Sequence, residues 1–277
     1  ASEREMELGR APSLAAPPAG KVMDLKGRVA LVTGGATGIG RATVLELARS
    51  GATGVAINYR TAGREAEEVA GEARTIGAEA LCLHADVKSE AEVLRMLRRV
   101  EERFGRLDVL VNNAGVTRWI PLADLQALTD PVWDEILDVN LKSAFRCTRA
   151  AAPLLSRTQG VVVNVASLSG LMATRTMSSL AYGAAKAALI QLTRGLAVAL
   201  APKVRVNAVA PAFTDTVWMR EHYGDAYDRV VAEAAAGIPL GRIATPGDIA
   251  TAIVSLITGS DFVTGQTLIV DGGLSLV

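Results

Sequence analysis

Val29-Ala-Leu-Val32-Thr33-Gly-Gly-Ala-Thr-Gly38-Ile-Gly40-Arg41 decides the fold. Its first four residues form a short, continuous apolar run, the pattern of a strand buried on both faces. A glycine-rich turn follows, and Arg41 to Ser50 then reads as a helix ended by Gly51. Strand, glycine turn and helix in that order open a crossover unit of a parallel sheet. Glycines in such a turn let a ligand approach the backbone. The helix behind it offers unpaired N–H groups and a positive dipole to a phosphate. The spacing Gly34-x3-Gly38-x-Gly40 is not the better-known Gly-x-Gly-x-x-Gly of dinucleotide sites. It also lacks the Gly-Lys-Ser/Thr of a nucleotide-hydrolase loop. A turn without a ligand is the plainer reading, but its place after the first strand favours a dinucleotide.

Outward from this stretch the alternation continues. Val55–Ile57, Ala80–Leu83, Val109–Val111, Val161–Val165, Val204–Val209 and Thr267–Val270 read as strands. Helices are expected at Arg64–Ile76, Glu90–Phe104, around Trp133–Leu155, around Tyr182 and near Asp248–Ile257, with Gly77 and Gly105 as left-handed caps. The expectation is one α/β domain, a doubly wound parallel sheet over 24–277. Residues 1–23 contain Ala11-Pro-Ser-Leu-Ala-Ala-Pro-Pro-Ala-Gly20, which cannot bury a face and reads as a flexible extension. Lys plus Arg and Asp plus Glu both number 29, which argues against a nucleic-acid footprint. No apolar run reaches the roughly 18 residues of a membrane span. Cys82 and Cys147 read as buried free thiols, which suits a reducing, cytoplasmic setting. His84 and His222 have no Cys or His cluster near them, so no metal site is expected.

Chemistry concentrates in Ser167 to Lys186. Tyr182 and Lys186 are four apart, one turn along a helix face. A free phenol has a pKa of about 10, and a cation beside it favours the phenolate. A tyrosine and a lysine sharing a surface by chance would look the same, so this pair needs company.

The company is present. Thr33-Gly-x-x-x-Gly38-Ile-Gly40, Asn112-Asn-Ala-Gly115, Asn140, Ser167, Tyr182-x-x-x-Lys186 and Asp271-Gly-Gly273 occur in one order. Together they resemble the compact, single-domain short-chain dehydrogenase/reductase family over about residues 24–277. The resemblance implies a Rossmann-like sheet, an NAD(P)(H) cofactor and hydride transfer at a carbonyl carbon. It implies catalytic roles for four residues. Tyr182 would be the general acid or base. Lys186 would lower its pKa and hold the nicotinamide ribose. Ser167 would orient the substrate oxygen, and Asn140 would hold a water of the proton relay. Cofactor contacts are implied at Gly34, Thr37, Gly38, Ile39 and Gly40 in the turn, and at Asp86 and Val87 by the adenine. Asn113, Ala114 and Gly115 would form a wall, a motif weighed here as structural before chemical. Pro211 and Thr214 would lie beside the nicotinamide.

Cofactor choice falls on Asn58-Tyr59-Arg60. An acid there would bond the adenosine ribose of NAD, whereas an arginine accommodates the extra phosphate of NADP. No acid is present and Arg60 follows, so NADP(H) is favoured, with NAD(H) open. Against it, Thr37 stands where many NADP-preferring relatives carry a basic residue. Two departures from the family stand out. Ser167 and Tyr182 are 15 apart, a longer spacing than usual, which keeps Ser169 as a substitute hydroxyl. Ala212 replaces the usual glycine after Pro211. Between Phe213 and Leu240, the residues Trp218, Met219, His222, Tyr223 and Tyr227 are either a substrate lid or packing for a helical hairpin. The leading expectation is an NADP(H)-preferring ketoreductase, similar to 3-oxoacyl-carrier-protein and polyketide reductases, although no docking patch for an acidic carrier stands out. The alternatives are an NAD-dependent dehydrogenase of a sugar, polyol or steroid-like alcohol, and a dinucleotide sensor on the same fold. A homotetramer is expected by resemblance, with the 133–155 and 182–201 helices at one interface.

Overall fold

The computed structural model describes residues 22–173 and 177–277. Most of the expected N-terminal extension, and three residues of the Ser167–Tyr182 loop, lie outside that range. Seven strands, β1 (Val29–Val32), β2 (Gly54–Tyr59), β3 (Glu79–His84), β4 (Val109–Asn112), β5 (Val161–Val165), β6 (Arg205–Pro211) and β7 (Thr267–Val270), form one sheet. Their order is β3-β2-β1-β4-β5-β6-β7, and each neighbouring pair is parallel. The connecting helices are α1 (Gly38–Arg49), α2 (Gly63–Ile76), α3 (Glu90–Phe104), α4 (Asp130–Leu137), α5 (Ser143–Thr158), α6 (Leu180–Leu200), α7 (Val217–Tyr223), α8 (Tyr227–Ala236) and α9 (Pro246–Thr258). This is the doubly wound α/β fold expected. Its strand order reverses between β1 and β4, and that crevice is where such sheets take ligands.

The apolar runs are continuous because both faces of the sheet are covered. Ala30 and Val32 of β1 pack into a core with Val44 and Leu47 of α1, Val69 of α2 and Ile253 of α9. Val29 and Leu31, pointing the other way, join Val93 and Met96 of α3, Cys147 and Leu154 of α5 and Leu196 of α6. Each fully buried Val, Leu or Ile contributes roughly 1.5–3 kcal/mol, so the central strands are the best-held part of the molecule. Met23 packs against the first core and Leu25 is buried, so the chain joins the fold there.

Gly51, Gly77 and Gly105 all have positive φ at helix ends. Two differences from the sequence reading matter. The helix expected around Trp133–Leu155 is interrupted: α4 ends at Leu137, a π-helical turn spans Asp138–Lys142, and α5 begins at Ser143. The irregular segment after Ala212 holds two short helices, α7 and α8. Among the described residues, no helix is long and apolar enough to cross a membrane. No group of His, Cys, Asp and Glu there could hold a metal.

Candidate active site

The glycine turn between β1 and α1 is pinned from three sides. Gly34 and Gly38 adopt φ of 62° and 52°, which side chains resist. A methyl on Gly40 would collide with the Gly34 carbonyl, so only glycine lets α1 start this close to the turn. Asn113 Nδ2 donates to the carbonyls of Thr33 (2.9 Å) and Gly34 (3.0 Å). Thr33 Oγ1 accepts from the backbone N–H groups of Asn113 and Ala114, both at 3.0 Å. Thr37 is the N-cap of α1 but gives no side-chain cap, so the dipole end of that helix is left for another acceptor. Ile39 packs inward on the core. A backbone cradle with unpaired N–H groups and no room for a Cβ fits a dinucleotide phosphate.

Asn58 is 2% exposed, and its amide is spent within the fold. Oδ1 accepts from Gly34 N–H at 3.3 Å, and Nδ2 donates to the Ala85 carbonyl at 3.0 Å. It stitches the turn to the ends of β2 and β3. Tyr59 lies beside Gly63 and His84. Arg60 is exposed and has no ion-pair or hydrogen-bond partner among the described residues, whereas nearby Arg41 is committed to Glu72 at 2.8 Å. Asp86, half-buried, caps the Lys88 N–H at 2.9 Å, and Val87 is buried beside it.

Asn112 is structural in the way its motif suggested. Its Nδ2 donates to Thr148 Oγ1 (3.1 Å) and Asn164 Oδ1 (2.8 Å), and Asn164 donates onward to Thr193 (2.9 Å). That polar chain ties β4 and β5 to α5 and α6. Asn140 sits in the π turn, 2% exposed, donating to the carbonyls of Val116 (2.8 Å) and Ile136 (2.9 Å). The extra residue of a π turn, a device common at functional sites, re-aims a side chain that a regular helix would present elsewhere. Here it brings the Asn140 amide against the Gly115–Val116 backbone.

Ser167 follows β5, accepts from Ser169 N–H at 3.2 Å, and its hydroxyl faces the Tyr182 phenol, whose pKa it pulls down. The hydroxyl beside Tyr182 is therefore that of Ser167, while Ser169 contributes its backbone. Ser179 caps α6 by accepting from Tyr182 N–H at 3.2 Å, which sets the phenol on the first turn. Gly170 lets this segment reach α6: a methyl there would lie 2.6 Å from Ala187 N. Lys186 is 3% exposed, donates to the Val165 carbonyl at 2.8 Å, and holds Nζ 5.5 Å from the Tyr182 ring centre. Burial brings the Lys186 ammonium down to about 8. Burial pushes the Tyr182 phenol up to about 12, with the Ser167 hydroxyl pulling the other way. Lys186 was expected to lower the phenol; here burial is the largest influence on it, and raises it.

Pro211 ends β6, buried. Ala212 takes the place of the family's glycine without positive φ, donating to the Val270 carbonyl at 3.1 Å. Thr214 is buried and donates to the Ala212 carbonyl at 3.0 Å. Beyond it, α7 joins the body through rings. Trp119 stacks on His222 with centroids 3.8 Å apart and planes at 6°, and Tyr223 packs near Trp119 and Phe213. Tyr227, by contrast, is buried and donates to Asp215 at 2.6 Å, so it packs the hairpin. Sequence reasoning passed over Trp119. Its isolated position in a loop gives no periodic signal, and its partner lies far along the chain.

A hydroxyl, a protonated phenol, a lysine and a buried amide thus meet at the carboxyl ends of β4 and β5, beside a phosphate cradle: the arrangement of a nicotinamide-dependent oxidoreductase. The chain belongs to the short-chain dehydrogenase/reductase family, whose cofactor is NAD(P)(H) and which acts on CH–OH groups. Residues 34–275 match the family model described as enoyl-(acyl carrier protein) reductase. A protein named as a ketoacyl reductase of the granaticin polyketide synthase of Streptomyces violaceoruber is 40% identical over 252 residues, 90% of this chain and 96% of that one. The 3-oxoacyl-[acyl-carrier-protein] reductase of a Synechocystis strain is 38% identical over 255 residues, 90% and 98% of the two chains. Among solved structures, a short-chain type dehydrogenase/reductase from Mycobacterium marinum superposes with a TM-score of 0.82 at 31% identity, covering 92% of this chain and 98% of that one.

Proposed function

We propose that this enzyme reduces a ketone to a secondary alcohol, with NADP(H) preferred and a 3-oxoacyl or polyketide-type substrate. The observation that carries this reading is Lys186 Nζ, donating to the Val165 carbonyl, 5.5 Å from the Tyr182 ring centre, with the Ser167 hydroxyl facing the same phenol. When bound, the reduced nicotinamide supplies the hydride. Ser167 donates to the carbonyl oxygen and polarises it, and Tyr182 gives its proton to the oxygen as negative charge develops there. A phenol held near 12 is protonated at neutral pH, the form reduction needs. Lys186, anchored on Val165, is placed to hold a ribose hydroxyl and to return a proton to Tyr182. Asn140 holds the Val116 backbone, and with it the segment that follows β4. Gly34, Thr37, Gly38, Ile39 and Gly40 would hold the pyrophosphate. Asp86 and Val87 would hold the adenine, and Asn113, Ala114, Gly115, Pro211 and Thr214 the nicotinamide end.

The NADP preference rests on Arg60, exposed and unpaired among the described residues at the end of β2, with no carboxylate at Asn58 or Tyr59. A guanidinium meets a 2′-phosphate with parallel hydrogen bonds worth roughly 1.5–3 kcal/mol, on the order of 10- to 100-fold. Steady-state oxidation of NADPH and NADH with an acetoacetyl thioester tests it. Arg60→Ala should raise the NADPH KM by about that factor, less so in high salt, and leave NADH nearly unchanged. A wild type that prefers NADH, or equal weakening of both cofactors, rejects the preference.

A further inference from the structure

Helix α7 has no buried residue, yet it lies beside the candidate active site. Seven residues do not hold a helix by themselves. It is tied to the body by the Trp119–His222 stack, 3.8 Å between centroids and 6° between planes, by Tyr223 against Trp119 and Phe213, and by the Arg220–Asp215 ion pair. Trp119 is itself fixed. Thr117 and Ser178 share a hydrogen bond of 2.5 Å, and Ile120 N–H donates to the Ser178 carbonyl at 2.8 Å. The next residue, Ser179, caps the helix that carries Tyr182. The strap over the site is therefore tied to the segment that positions the acid.

Trp218 rides on this strapped helix and is 43% exposed. A methyl placed on Gly115 would lie 3.6 Å from its Cη2 and 3.0 Å from Asn140 Oδ1. The edge of the indole thus reaches the site wall beside Asn140. Among the described residues Trp218 has no ring partner, although Trp119, Phe213, His222 and Tyr223 all do. The chain has three tryptophans, and the third, Trp133, packs with Tyr182 against the same buried cluster of Ile136, Ala181 and Ala185. An uncovered indole at the site wall calls for a flat apolar occupant, which gains offset stacking in addition to area burial. A linear acyl group gains burial alone.

We infer that Trp218, held by the Trp119–His222 stack, is a specificity-determining residue that receives the flat ring body of an aryl or fused-ring ketone while the carbonyl lies at Ser167 and Tyr182. This rests on the reading of Tyr182 as the acid. The test is the ratio of kcat/KM for 1-tetralone to that for acetoacetyl-N-acetylcysteamine, with NADPH, in wild type, Trp218→Ala, Trp218→Phe, Trp119→Ala and Tyr182→Phe. Trp218→Ala should lower the ratio about tenfold, through the 1-tetralone KM, the loss of one good stacking contact. Trp218→Phe should restore it to within about threefold, and Trp119→Ala should lower it in the same direction. An unchanged ratio in Trp218→Ala, a wild type that does not turn over 1-tetralone, or an NADPH KM that rises by the same factor overturns the inference; the last would place the indole on the cofactor. Tyr182→Phe separates the two readings. If it keeps turnover, the acid assignment fails, and the ratio still decides Trp218.

Discussion

At the scale of single residues, the site is a contest between burial and charge. Tyr182 is held protonated near 12 because crowding outweighs its neighbours. Removing the phenol oxygen should cost at least about 100-fold in turnover while leaving cofactor binding intact. Steady-state rates against NADPH affinity check this, and near-normal turnover of Tyr182→Phe would end the assignment. Because the Ser167 hydroxyl is the one that acts on the phenol's pKa, Ser167→Ala should depress turnover far more than Ser169→Ala. A reversed ranking would move the active hydroxyl to Ser169. Lys186 gives a stability signature as well. Its folded pKa lies near 8 against the ordinary 10.5, so between those values the unfolded chain binds the proton more tightly. Stability from this group therefore rises with pH through that window, on the order of 3 kcal/mol across all of it. Urea midpoints from about pH 7.5 to 9.5, in wild type and Lys186→Met, should show wild type gaining on the variant. A constant difference would mean Lys186 is solvated.

At the scale of elements, glycines decide what may approach what. A methyl on Gly40 meets the Gly34 carbonyl oxygen, backbone against backbone, so Gly40→Ala must push α1 off the turn. Overpacking of this kind costs about 1–3 kcal/mol, and the displaced helix N-terminus should weaken NADPH binding. Gly71, exposed inside α2, has nothing within 4 Å of its would-be Cβ. Gly71→Ala should therefore stabilise the protein by about 0.5–1 kcal/mol through helix propensity and leave the kinetics alone. Thermal melts and cofactor titration of the two variants check the contrast. The π turn belongs to the same scale. A regular helix through Asp138–Lys142 would swing Asn140 away from Val116, so the irregularity is what completes the site.

At the scale of the whole molecule, large apolar side chains remain at the surface. Phe145 on α5 is 41% exposed and Val198 on α6 is 82% exposed, the helices expected at an interface. Leu268 and Ile269 on the edge strand β7 are 39% and 43% exposed, and Phe262 nearby is 97% exposed. An uncovered edge strand with apolar side chains invites pairing. We expect a homotetramer, measured by light scattering at micromolar concentration; a monomer there would reject it.

What the sequence determined by itself was the order of strands and helices, the glycine turn and the candidate set of catalytic side chains. Periodicity, caps and glycine placement are local, so the Val29–Gly40 stretch, the α3 bounds and the β5 bounds could be read without the fold. What only the tertiary structure decided depends on elements far apart in the chain. Asn58 stood in the sequence as a cofactor contact; that its amide also joins three strand ends came only from the fold. Lys186 stood as the cation for Tyr182; folding decided where its ammonium sits, donating to the Val165 carbonyl of β5 and 5.5 Å from the Tyr182 ring centre. Trp119 carried no signal until folding laid His222 on its face. Each of these is a packing outcome, settled by which groups must be satisfied once water has been excluded from between the layers.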